Sequence, residues 1–97
     1  MEMYNPAHPG EILKDAIGEI SIKELSERLD INIVTLERIL SGKQAVTADI
    51  AIKFAEFLPN TDADLWLRIQ NQYDLWQAKQ KPHKKVIPLS EPLLATA

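Results

Sequence analysis

Four cations, Lys23, Arg28, Arg38 and Lys43, fall within the stretch SIKELSERLDINIVTLERILSGK, interleaved with Glu24, Glu27, Asp30 and Glu37. The chemistry open to such side chains is contact with phosphate oxygens and base edges. Because the local charge is balanced, that chemistry must rest on placement. Proton transfer and nucleophilic attack are poorly provided for. The chain has no cysteine, no glycine-rich phosphate loop and no serine with an evident histidine base. Its two histidines, His8 and His83, are far apart, whereas a metal site needs three or four clustered ligands. Glu11, Asp15 and Glu19 recur on one helix surface, where solvation accounts for them. No catalytic residue, metal or cofactor is expected.

Two short helices must position the cations. Ser21 caps the first, with Glu24 three residues on to complete a capping box. Leu25 and Leu29 share one face, and Ser26 beside them is small enough for a second helix to approach. Asp30-Ile31-Asn32 then breaks the pattern: Asp30 tolerates left-handed backbone, Ile31 plugs the corner and Asn32 caps the second helix. That helix buries Leu36, Ile39 and Leu40 and stops at Ser41-Gly42. Two helices so joined make a helix-turn-helix, whose second helix lies in the DNA major groove.

The rest of the chain supplies the scaffold. His8-Pro9-Gly10-Glu11 reads as a helix start, followed by the apolar stripe Ile12, Leu13, Ala16 and Ile17, with Gly18 as its end and Ile20 returning to the core. Thr47 caps a fourth helix from Ala48 to about Leu58, facing inward with Ile50, Ala51, Phe54, Ala55 and Leu58 and closed by Pro59. Thr61 is expected to cap a fifth, from Asp62 to about Lys79. There Trp66, Ile69, Tyr73 and Trp76 form a 3-4-3 seam. Such a weight of aromatics on one helix, though it could complete a core, is expected to serve an interface between two copies of the chain. Lys79 to Lys85 holds four lysines and no acid, the usual pattern of a solvated linker, with a phosphate contact as the lesser alternative. Val86-Ile87-Pro88-Leu89 and Leu93-Leu94 come after it, apolar but broken by prolines. The organisation read is therefore an arm (1–7), a helical domain (8–79) and a basic linker with a tail (80–97).

Composition narrows the class. A net charge of −3 and a pI near 5.3 count against non-specific nucleic-acid binding. No apolar run approaches the roughly 20 residues that span a bilayer, and no signal-like segment opens the chain. With no cysteine, a cytoplasmic protein is expected.

With these residues in view, the chain resembles the HigA-type antitoxins, the addiction-module antidotes of the lambda-repressor-like helix-turn-helix family. His8-Pro9-Gly10-Glu11-Ile12-Leu13, Arg38-Ile39-Leu40-Ser41-Gly42-Lys43, Thr47-Ala48-Asp49-Ile50-Ala51, and Trp66-Leu67 with Gln70 and Tyr73-Asp74-Leu75 carry the likeness, which covers about residues 5–76. It implies an all-α, five-helix lambda-repressor-like domain with a C-terminal extension. It further implies a homodimeric repressor of its own operon, bound to a palindromic operator with half-sites about 34 Å apart. The partner implied is a HigB/RelE-like toxin that cleaves mRNA. Carried over position by position, Ile33, Val34, Thr35 and Arg38 face the bases, with Arg38 able to grip guanine O6 and N7. Ser21, Lys23, Ser41, Lys43, Gln44 and Thr47 match positions that hold the DNA backbone. The alternative for Arg38 is a surface ion pair with Glu24 or Glu27. Ile22 and Ile33 depart from the family pattern, replacing residues that are often polar; apolar side chains there can read thymine methyls. Two other functions compete: a toxin neutraliser without independent operator binding, and a phage-type repressor with no toxin.

Overall fold

The computed structural model describes residues 5–90. Among them are five helices and no strand: α1 Pro9–Ile17, α2 Ile22–Leu29, α3 Ile33–Leu40, α4 Ala48–Phe57 and α5 Ala63–Lys79. This is the all-α, five-helix architecture expected.

Each helix starts where a side chain can accept an orphan backbone N–H. Ser21 Oγ accepts from the Glu24 N–H at 3.1 Å, opening α2. Asn32 Oδ1 accepts from the N–H groups of Val34 and Thr35, at 2.8 and 3.3 Å, opening α3. Thr47 Oγ1 performs the same task for α4 through the Ile50 N–H at 3.5 Å. The cap of α5 differs from expectation. Asp62, whose carboxylate accepts from the Leu65 N–H at 2.8 Å, holds that position in place of Thr61. Thr61 is instead taken up by packing: its hydroxyl donates to the Leu58 carbonyl and accepts from the Trp66 indole N–H at 2.9 Å.

The core gathers Leu13, Leu25, Leu29, Ile31, Leu36, Ile39, Val46, Ala51, Phe54 and Trp66. Phe54 and Trp66 meet edge to face, with ring centroids 5.2 Å apart, which joins α4 to α5. Of the stripe expected on α1, Leu13 is fully buried and Ile17 partly, while Ile12 and Ala16 face outward. A nine-residue helix flanked by α3 and α5 has room for only a narrow inner face.

Gly10 explains how closely α1 approaches. A Cβ at this position would lie 1.9 Å from the Ile39 carbonyl oxygen, so only glycine lets the start of α1 rest on the end of α3. Beyond α5, residues 80–90 are exposed and lack helix or strand. Leu93 and Leu94 lie outside the described residues, as do the first four residues of the arm; within the arm, Pro6 is buried.

Candidate nucleic-acid interface

The corner between α2 and α3 is built from short, local bonds. Asp30 sits in the left-handed region at φ 55°, as the turn requires. The Ser26 hydroxyl donates to the Ile31 carbonyl at 2.6 Å, and the Ile31 N–H returns a bond to the Ser26 carbonyl. Lys53, on α4, donates to the Asp30 carbonyl at 2.6 Å and braces the corner from behind. Ile31 is buried at its centre.

That corner sets the orientation of α3. Leu36 and Ile39 are fully buried, which turns Ile33, Val34, Glu37 and Arg38 outward. Val34 is 58% exposed, a large value for an apolar side chain near a helix start. Thr35 is half-buried beside it. Arg38 forms no ion pair with Glu24 or Glu27, the surface alternative. Glu24 lies instead against Arg28 at 3.6 Å, and the Arg38 Nε–H donates to Gln44 Oε1 at 3.3 Å. Among the described residues its terminal guanidinium nitrogens hold no hydrogen bond or ion pair, which leaves the exposed fork open to a planar two-acceptor target.

The residues expected at the DNA backbone lie at the ends of α2, α3 and α4 and in the α3–α4 loop. Lys23 and Lys43 are exposed. Ser21 and Thr47 spend one lone pair each on capping, which leaves each O–H free to donate to an anion. Ser41 differs, since its hydroxyl already donates to the Arg38 carbonyl at 3.2 Å. Gln44 is half-buried and its amide oxygen is engaged by Arg38, so it orients the arginine as well as facing outward. Gly42, at φ 79°, turns the chain from α3 into this loop.

Two buried polar residues hold the loop and were missed as functional positions. Gln70 on α5 is 5% exposed; its Oε1 accepts the Val46 N–H at 2.8 Å and its amide donates to Asp74 at 2.9 Å. His8 is 4% exposed, and its Nδ1 accepts the Gly10 N–H at 2.9 Å. The ring stands edge-on to Tyr73 at 4.9 Å. Burial holds its pKa below the ordinary value, against the opposing pull of Asp74, a hydrogen bond to the Gln44 backbone, and Glu11. The signal for both was present in the motifs HPGE and WL..Q..YDL. Among the described residues no group of three His, Asp or Glu is placed to hold a metal ion.

The aromatic seam of α5 divides. Trp66, expected between two copies, is 1% exposed and enclosed in the chain's own core, so it has no surface to offer a second copy. Ile69 packs against that core and Tyr73 against His8, both half-buried. Trp76, also half-buried, lines an open cavity of about 510 Å³ with His8, Lys14, Ser41 and Gln77. The large apolar side chain that α5 leaves exposed is Leu75, at 53% exposure.

A helix-turn-helix family model matches residues 18–66. Virulence-associated protein A' of Dichelobacter nodosus is 37% identical over 93 residues, covering 93% of this chain and 80% of that protein. A solved addiction-module antidote protein of the HigA family from Coxiella burnetii is 35% identical with a TM-score of 0.74, covering 88% of this chain and 99% of that one. The Pseudomonas aeruginosa antitoxin HigA, solved with the higBA promoter, is 33% identical with a TM-score of 0.73 over 87% of this chain and 98% of its own.

Proposed function

Because the chain belongs to the helix-turn-helix family, in which its likeness is to HigA-type antidote proteins, we propose that it is the antitoxin of a type II toxin–antitoxin module. In this reading it binds a palindromic operator in its own promoter as a homodimer and represses the operon. It also binds and neutralises a RelE-like, mRNA-cleaving toxin. The observation that carries the DNA half is the outward face of α3, where Ile33, Val34 and Arg38 stand clear of the core that fixes the helix. Support comes from the antitoxin relative solved with promoter DNA. Ile33, Val34, Thr35 and Arg38 would meet base edges, with Ser21, Lys23, Ser41, Lys43, Gln44 and Thr47 around the backbone. The dimer would form through α5, using the outer parts of Ile69, Tyr73 and Trp76 together with Leu75.

The toxin surface is placed outside the recognition helix, so that one chain can hold DNA and toxin together. Gel shifts with the chain's own promoter test the DNA half. Arg38→Ala should lower specific affinity about tenfold to a hundredfold, the loss of one bidentate guanine contact, while leaving toxin capture intact. Unchanged specific affinity would refute the assignment of Arg38. A second reading, a toxin neutraliser that does not bind the operator alone, is favoured by the net charge of −3 and the apolar Ile22 and Ile33. A shift that appears only when toxin is added would select it.

A further inference from the structure

Four of the chain's eleven cations lie between Lys79 and Lys85, in a segment with no acidic residue, while the remaining chain is strongly acidic. All seven residues are exposed, and among the described residues no ion pair joins these lysines to a carboxylate. Their placement matters more than their number. The last turns of α5 share the 510 Å³ cavity with the end of α3: Trp76 and Gln77 line it together with Ser41, Gly42 and Lys14. The basic segment therefore leaves the domain beside the loop after the recognition helix. Lys79 ends α5 and Lys81 is held in the turn after it, its N–H donating to the Ala78 carbonyl; from there to Lys85 four residue steps of extended chain reach about 13 Å, enough to pass neighbouring phosphates of one strand.

We infer that residues 79–85 form a phosphate-binding arm, which lies along the DNA backbone next to the α3–α4 loop and supplies affinity without sequence preference. This rests on the DNA-binding reading above. It also answers the electrostatic problem that reading raises. A chain of net charge −3 gains little from the general attraction of phosphates, whereas a concentrated cationic segment beside the reading helix brings that attraction to the contact itself.

The test is the salt dependence of binding, measured by fluorescence anisotropy on the chain's own promoter and on a scrambled duplex. The variants are K79Q/K81Q/K84Q/K85Q and its charge-preserving counterpart K79R/K81R/K84R/K85R. Each phosphate contact contributes about 0.9 to the slope of log affinity against log salt, so the glutamine variant should flatten it by up to about 3.6 per subunit. Affinity should fall by a similar factor on both duplexes, leaving their ratio unchanged, and the arginine variant should keep the wild-type slope. A glutamine variant with the wild-type slope overturns the inference, as does one that lowers only the operator affinity. If wild type prefers neither duplex, the reading of function fails, while the difference in slope on the scrambled duplex still decides the arm. Binding to no duplex at low salt overturns both.

Discussion

The Gln70 amide oxygen accepts the Val46 backbone N–H at 2.8 Å, inside the protein, so α5 holds the loop between α3 and α4 by a single buried bond. The Gln70 amide group is held in turn by Asp74 at 2.9 Å, which fixes which end of the side chain faces Val46. Gln70→Leu keeps the volume and removes the acceptor. The buried Val46 N–H is then left unpaired, at a cost of about 1–3 kcal/mol. Thermal melting should fall by roughly 4–8 °C per kcal/mol for a domain of this size. Melting at the wild-type temperature would show that the bond contributes nothing.

Gly10 is a position where a single methyl group decides the packing of α1. Its hypothetical Cβ lies 1.9 Å from the Ile39 carbonyl oxygen and 3.0 Å from the Leu40 Cα, both backbone atoms that cannot swing aside. Gly10→Ala gains helix propensity of about 0.5–1 kcal/mol, yet must push two helices apart, which costs about 1–3 kcal/mol or more. The net should be destabilising, in the direction opposite to the usual effect of this exchange in a helix. Denaturant titration of the two proteins measures it directly. A variant more stable than wild type would show that α1 does not rest on α3 as described.

His8 should make stability depend on pH in the acid direction. Its Nδ1 accepts the Gly10 N–H, which requires the unprotonated nitrogen, and burial lowers its pKa despite Asp74, the Gln44 backbone and Glu11. A group whose folded pKa lies below its unfolded value gives stability that is complete above the unfolded value, here 6.5, and that is lost as pH falls through the folded one. Between those values the unfolded chain binds more protons, so stability rises with pH. His8→Asn keeps a capping acceptor and removes the titration. Urea midpoints measured from about pH 7.5 down to about pH 5 should decline less steeply in the variant. Parallel declines would assign the acid sensitivity to other groups.

Much of this fold is legible in the residues because the caps and apolar spacings are local. Ser21, Asp30, Asn32 and Thr47 each act within three residues of themselves, and all four do what their type and position imply. The failures are of longer range. Thr61 and Asp62 are both good caps; what separates them is the Trp66 indole, which takes the threonine hydroxyl and depends on how α4 and α5 pack. Trp66 and Leu75 are both apolar residues on one helix, and spacing could not tell which of them the core would enclose. Arg38 is similar: its exposure follows from Leu36 and Ile39, but its partner Gln44 lies six residues away across a glycine turn.

The division of α5 between core and outer face leads to a last prediction, on assembly. Trp66→Ala removes a fully buried ring that packs on Phe54, and should cost about 3–5 kcal/mol of folding stability. Leu75 is more than half exposed, so Leu75→Glu should leave the melting of an isolated chain nearly unchanged. If two copies meet along α5, the same change places a carboxylate in their contact and opposes its own counterpart across the symmetry axis. Equilibrium sedimentation should then show a dimer for wild type and a shift toward monomer for Leu75→Glu, with helical content preserved. A variant that stays as dimeric as wild type would move the contact off this face of α5. On the proposed reading two recognition helices are held about one DNA turn apart, so operator affinity should drop with dimerisation, even though Leu75 lies on a different helix from Arg38.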